Sequence, residues 1–411
     1  MEVLYAKCAG LDVHRDTVVA CVRIAVDGKV SQEVKTFGAT TTELMALSEW
    51  LTGYGVTHVA MEATGVYWRP VWHVLDGSFE LVLANAMHIK NVPGRKTDVS
   101  DAMWIADLLA HGLIRASFVP PTPVQDLRAL TRTRKQLIRE RASHVNRIDK
   151  ILQDANLKLG SVLTDIMGQS GRGILNAIAS GEADPEKLVE HVRRGVRAPR
   201  AKIVEALRGT VTPSHRFLLK LHLDQADALQ KAIDDIDREV SERLDPFRDA
   251  ARRLTQVPGI SDVVAAAIVS EIGTDMSRFP TAGHLISWAG LCPRNDESAG
   301  KRRSTRLRKG APWLKTILVQ TAWCATRAKG TYLQAQFLRL KARRGSRKAI
   351  MAVAASILTA IYAMLKNSVD YADLGADHFT RADRIKTANR LLRKLGDLGF
   401  EVRDMRDRTA A

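Results

Sequence analysis

Residues 8–37 constrain the fold more than any other stretch. The runs CAGLDVH, DTVVACVRIAV and KVSQEVKTF alternate with the period of two that a half-buried strand requires. Asp27-Gly28, between the second and third runs, is a hairpin turn pair. Behind them, 43–54 reads as a helix, 57–62 as a buried strand, 66–75 as a helix and 80–84 as another strand.

Three antiparallel strands followed by alternating helix and strand is the element order of a ribonuclease H-like α/β domain. Acids fall at informative places in that order. Asp12 and His14 point to one side of the first strand, Leu11 and Val13 to the other. Glu62 ends HVAME, a run otherwise fit for a buried central strand, so its carboxylate emerges at the C-terminal edge, where open α/β sheets place their sites.

Downstream, NVPGRKTDVSDAMWIADLL (91–109) sets Asp98 and Asp101 three apart at the mouth of a predicted helix. That spacing puts both on one helix face, with Thr97 as N-cap. Arg95 and Lys96 precede them in a Pro-Gly loop suited to a phosphate. Helix capping alone would account for Asp98 and Asp101, but not for Asp12 and Glu62. If the strands are neighbours, four carboxylates converge and repel one another unless cations neutralise them. Two Mg²⁺ ions roughly 3.5–4 Å apart would do so and would clamp both oxygens of a phosphodiester exchange. Asp16, Asp76, Glu80 and Asp107 are read as surface acids, and His14 as a satisfied polar residue.

The chain has 411 residues and a net charge of +17, spread unevenly. Residues 1–118 hold 10 Lys/Arg against 13 Asp/Glu, whereas 294–348 hold 16 against 2, so the later chain is the part suited to a polyanion. Lys301, Arg302, Arg303, Arg306, Arg308 and Lys309 form one cluster, and Arg343, Arg344, Arg347 and Lys348 a second. Cys8, Cys21, Cys292 and Cys324 fit neither a disulfide framework nor a zinc site, which points to a reducing cytoplasm. The N-terminus carries no signal-peptide pattern. The uncharged run 349–365 is read as a buried helix rather than a short bilayer span, and no membrane is expected.

PPTP at 120–123 marks a boundary. Long amphipathic helices at 124–159 and 214–244 predict an antiparallel coiled-coil arm, the first setting Leu127, Leu130, Leu137, Ile148 and Leu152 against Arg128, Arg132, Arg134, Lys135, Arg139 and Arg141. Residues 251–272 read either as a helix-hairpin-helix whose turn offers amides to phosphate or as a plain helical hairpin. Ser298 sits in a cationic loop; spacing alone leaves it an ordinary loop serine. The expected division is 1–120 catalytic α/β domain, 121–250 helical arm, 251–370 α-helical C-terminal domain and 371–411 charged helical tail.

GLDVH, MEATGVYW, NAMHIKNVPGRKTDVSDAMWIADLL, LTQVPGIS and WAGLCPRNDESAGKRR together resemble the DEDD transposases of the insertion-sequence-110 family, in order and over nearly the whole chain. The resemblance implies a RuvC-like N-terminal domain whose four acids are Asp12, Glu62, Asp98 and Asp101, and a C-terminal transposase domain with Ser298 as nucleophile. The family's loop often has two serines and two glycines where this chain has Glu297-Ser298-Ala299-Gly300, so Ser304 stays as an alternative. It further implies a recombinase that cuts and rejoins donor and target DNA through a phosphoserine, guided by a structured bridge RNA and working as a dimer or tetramer. A serine needs activation, which the acids' Mg²⁺ would supply if the two domains meet. A hydrolytic RuvC-like nuclease or junction resolvase, needing the acids but not Ser298, is the alternative.

Overall fold

In the computed structural model the residues described are 2–63, 65–85, 89, 100–293, 296–298, 300–304, 306–307 and 310–399. The chain divides into two compact units, 1–119 and 120–411.

The first unit is a five-stranded sheet in the order β3-β2-β1-β4-β5, with β1 Lys7–Val13, β2 Thr17–Val26, β3 Lys29–Gly38, β4 His58–Glu62 and β5 Glu80–Ala84. The first three strands are antiparallel, and β1-β4-β5 are parallel. Asp27 and Gly28 both take positive φ, 49° and 76°, the primed turn their sequence predicts. Helices α1 (Thr41–Gly53) and α2 (Trp68–Leu75) bury Leu44, Leu47, Leu51, Val71 and Leu75 against Ala9, Leu11, Val59 and Met61 on one face. Helix α3 (Asp101–Ala110) covers the other face through Ile105, Leu108 and Leu109 on Cys8, Ala60 and Ala84.

Gly10 explains how closely α3 lies on the sheet. A Cβ there would stand 2.3 Å from the Ala102 carbonyl and the Ala106 nitrogen.

Among the described residues, the second unit is helical apart from one hairpin, β6 (Asp296–Ser298) and β7 (Lys301–Ser304). Its longest elements are α4 (Thr122–Asp154) and, after the short helices α5 (Leu159–Val162), α6 (Gln169–Ala179), α7 (Pro185–Leu188) and α8 (Arg200–Ala206), helix α9 (Pro213–Arg243). These two pack antiparallel. Arg243 meets Asp126 (3.3 Å) and Arg134 meets Asp237 (3.0 Å) near one end, while His222 meets His144 (3.2 Å) and His215 meets Asp154 (2.9 Å) toward the other. Thr212 and His215 form a capping box at the start of α9.

Helices α10 (Arg248–Leu254), α11 (Asp262–Ile272), α12 (Ala282–Trp288), α13 (Pro312–Ala325), α14 (Tyr332–Arg344), α15 (Ser346–Asn367) and α16 (His378–Asp397) complete the unit. The apolar α15 is long enough to cross a bilayer by length and composition, but it is a packed helix here. Val353, Ala354, Ile357, Leu358 and Ile361 are buried, it packs against α12, α13 and α14, and Ser356 accepts from Gln336 at 2.8 Å. Between α10 and α11, four turn amides (Thr255, Gln256, Val257, Ile260) are spent on local carbonyls. A Cβ on Gly259 would meet the Thr321 carbonyl of α13 at 2.7 Å.

Candidate functional site

The parallel register carries the acidic site. Leu11 pairs with Met61, so the next residues along the two neighbouring strands are Asp12 and Glu62. Strand alternation puts both on the α3 side of the sheet, because Leu11, Val13, Val59 and Met61 fill the opposite core while Cys8 and Ala60 face α3. Helix α3 runs back along β1: its last carbonyl, Ala110, accepts from the amides of Leu4 and Tyr5 before β1 begins, and its first turn lies over Gly10. Its first residue, Asp101, therefore stands at the edge where Asp12 and Glu62 emerge. Asp12 is half-buried, and its carboxylate is 3.2 Å from His14 Nε2, the polar partner expected for that histidine.

Asp98, Arg95 and Lys96 lie outside the described residues. The observed N-cap of α3 is Ser100, whose hydroxyl accepts from the Met103 amide at 3.3 Å, where Thr97 was expected. The helix thus opens at Asp101, and the 98/101 pairing rests on a residue outside the described ones. Carboxylate oxygens are the donors a hard divalent cation takes, and the strand-end placement of Asp12 and Glu62 suits one. Among the described residues no three His, Cys, Asp or Glu side chains are grouped closely enough to enclose an ion. The site is accordingly an open, edge-of-sheet set of donors.

Asp107 is a correction to the sequence reading. Far from being a spare surface acid, it accepts from Arg23 Nε at 3.1 Å, and the Arg23 side chain is only 4% exposed. His111 adds a contact at 3.7 Å. Arg23 lies on β2 among residues that face α3, so a charge in that strand needed an acid two helical turns into α3. Nearby, burial pushes the Cys8 thiol up to about 11 and the Cys21 thiol up to about 12. Neither is a nucleophile at neutral pH.

Ser298 also departs from expectation. It ends β6, paired with Lys301, so the segment read as a loop is part of a hairpin. Gly300 supplies the positive φ, 74°, that closes it. Ser304 pairs with Asp296, and its hydroxyl accepts from the Arg306 amide at 3.2 Å. Lys301, Arg302 and Arg303 lie on β7; Lys301 and Arg306 are exposed, while Arg308 and Lys309 fall outside the described residues. Arg343 and Arg344 end α14 and Arg347 and Lys348 open α15, all four exposed. Within one unit, the hairpin and the α14–α15 corner are distinct basic segments.

The cations set on the polar side of α4 include two that are spent inside the second unit. Arg132 binds Glu271 of α11 through two hydrogen bonds of 2.8 and 2.9 Å, and Glu271 is 2% exposed. Arg128 donates to the Ser270 and Glu271 carbonyls at 3.0 and 2.7 Å, satisfying the end of α11. The available sign was Glu271 itself, an acid in an otherwise apolar helix, which demands a cation from elsewhere in the chain.

Comparison with known proteins finds matches in both units. Residues 9–157 match the DEDD transposases of IS110, and residues 251–338 match the family described as "Transposase IS116/IS110/IS902 family". The chain is 31% identical over 280 residues to the IS116 "uncharacterized 44.8 kDa protein" of Streptomyces clavuligerus, covering 59% of this chain and 68% of that protein. It is 24% identical over 376 residues to the transposase for insertion sequence element IS1111A of Coxiella burnetii, covering 89% and 91%. The IS110 "uncharacterized 43.6 kDa protein" of Streptomyces coelicolor is 28% identical over 305 residues, covering 68% and 73%. The chain therefore belongs to the IS110 family of insertion-sequence transposases.

Proposed function

We propose that this transposase cuts and rejoins DNA strands with two sets of groups, the acids Asp12, Glu62, Asp98 and Asp101 and the hydroxyl of Ser298. The observation that supports it best is the emergence of Asp12 and Glu62 on adjacent parallel strand ends, with Asp101 opening the helix above them. These four carboxylates would hold Mg²⁺, two ions for four acids, and bound Mg²⁺ would neutralise charge on a phosphodiester and favour an ionised nucleophile. Ser298 Oγ gives up its proton and attacks a DNA phosphate, the P–O bond to one deoxyribose breaks and that sugar leaves as a free hydroxyl, and the strand stays on the serine as a phosphoester that the hydroxyl of the strand to be joined reverses. Arg302, Arg303 and Arg306 steady the charge on the phosphate. Lys301, Arg308, Lys309, Arg95 and Lys96, with Arg343, Arg344, Arg347 and Lys348, bind nucleic-acid backbone, so affinity falls steeply with salt.

The reading extends to a structured bridge RNA that pairs with donor and target DNA, and to a dimer or tetramer whose α4–α9 arm joins copies. It places the protein in the cytoplasm at the nucleoid, with functional divisions at 1–120, 121–250, 251–370 and 371–411. The test combines purified protein, Mg²⁺, RNA from its own locus and labelled element-junction DNA on a denaturing gel. A covalent protein–DNA band lost in both Ser298→Ala and Asp12→Asn is the expected result, and mapping the adduct separates Ser298 from Ser304. Cleavage without an adduct, unchanged by Ser298→Ala, would favour a hydrolytic nuclease instead.

A further inference from the structure

The second unit contains a cavity of about 920 Å³ between α4, α9, α10, α11 and α13, within the size range of small-molecule sites. One part of its lining is apolar, including Val240, Leu244 and Val264, and another is charged, its cations outnumbering the carboxylates of Asp237, Asp262 and Glu271. Three cations of α4 crowd the ring of Trp313: Arg132 at 5.4 Å, Lys135 at 5.8 Å and Arg139 at 5.7 Å from its centroid. Arg132 is neutralised by Glu271. Lys135 is not, since its Nζ is shielded from solvent and has no hydrogen-bond partner. Arg139 has no carboxylate within ion-pair distance among the described residues.

Burial, and then the charge of Arg139, hold the Lys135 ammonium below the ordinary lysine range, with Glu271 opposing. A covered ammonium beside a second unpaired cation is an arrangement an arriving anion stabilises and an empty fold does not. The apolar wall beside it suits a flat, weakly polar group joined to that anion. A nucleotide combines the two.

We propose that this cavity takes one unpaired nucleotide of a nucleic-acid strand, its base against the apolar wall and its phosphate between Lys135 and Arg139 beside Trp313. Its lining includes neither the four acids nor Ser298, and it requires no strand cleavage. Duplex, whose bases are stacked and paired, does not enter it, so selectivity for single strands over duplex is its signature.

The test measures binding of short labelled single-stranded RNA, single-stranded DNA and duplex of the same sequence to the full-length protein by fluorescence anisotropy. Lys135→Gln and Trp313→Leu should each weaken single-strand binding about tenfold and leave duplex binding unchanged. Arg343→Gln, on the outer basic corner, should weaken all three equally. A loss confined to RNA, or to DNA, identifies which strand supplies the nucleotide. Unchanged single-strand affinity in Lys135→Gln overturns the proposal, and so does an equal loss on duplex, which would make these cations part of the general basic surface. Should Trp313→Leu fail to fold, Lys135→Gln, which keeps length and removes charge, decides alone.

Discussion

Each unit buries a positive charge, and the two do so in opposite ways. Arg23 lies under α3 with Asp107 on its Nε, although its Nη1 has no partner. Lys135 is covered beside Trp313 with two guanidinium groups for neighbours. In the first unit, a direct ion pair offsets part of the cost of desolvation; in the second, only the Trp313 ring and Glu271, which is already paired with Arg132, oppose it. The contrast separates charge that holds a fold together from charge held ready for a ligand.

The sharpest way to break this comparison is to remove each partner in turn. Asp107→Ala should cost about 3 kcal/mol, because it strands a buried guanidinium. The denaturant midpoint should fall with an unchanged slope. Adding Arg23→Met to Asp107→Leu should recover most of that loss, since an apolar pair of similar volume replaces the ions. Lys135→Met should act in the other direction, raising stability by about 1 kcal/mol, as expected where a fold gives up stability for use. If Lys135→Met destabilises as much as Asp107→Ala, the two charges are of one kind and the contrast fails.

The sequence shows the sheet more clearly than the ion pairs for a physical reason. Period-two alternation and the Asp27-Gly28 turn are local, so β1 to β3 are legible residue by residue. The same alternation puts Asp12 and Glu62 on defined strand faces, and only the parallel pairing of β1 with β4, a non-local choice, makes them neighbours. Asp107 and Arg23 are 84 residues apart, and Arg132 and Glu271 are 139 apart. No periodicity connects such partners, so their acids and cations read as solvated. Ser298 shows a third limit. Its hairpin is short and polar, without the apolar alternation that betrays a strand, and so it reads as a loop.

The thiols under α3 sharpen the same contrast by pH. Cys21 packs against Ala102 and Ala106, and Cys8 donates to the Ala106 carbonyl at 3.5 Å. With folded values raised to about 11 and about 12 from an ordinary 9.0, the fold holds these protons more tightly than the unfolded chain does. Their contribution is complete below pH 9.0 and is lost as pH rises toward those values. Alkaline unfolding monitored by circular dichroism should begin in that window, and Cys21→Ala should flatten it. Thiol labelling of the native protein should be fast at exposed Cys324, slower at half-buried Cys292 and negligible at Cys8 and Cys21.

The smallest effect belongs to the His144–His222 contact of the α4–α9 pair, where charge is avoided although ion pairs join the same helices elsewhere. Burial, and then the neighbouring His144 and Arg147, hold His222 below its ordinary 6.5. The fold therefore favours the neutral ring, and the unfolded chain takes up the proton first as pH falls. Stability from this group is complete above 6.5 and declines as pH drops through the folded value, the reverse of the cysteines. Melting temperature measured from neutral to mildly acidic pH should fall in the native protein and fall less in His222→Gln, which keeps a polar group opposite His144 without the titration. Equal slopes in the two proteins would mean that the His144–His222 contact carries no charge penalty, and that this point of the α4–α9 seam adds nothing to the apolar contacts of Leu152 and Leu219 and the ion pairs of Arg134 and Arg243.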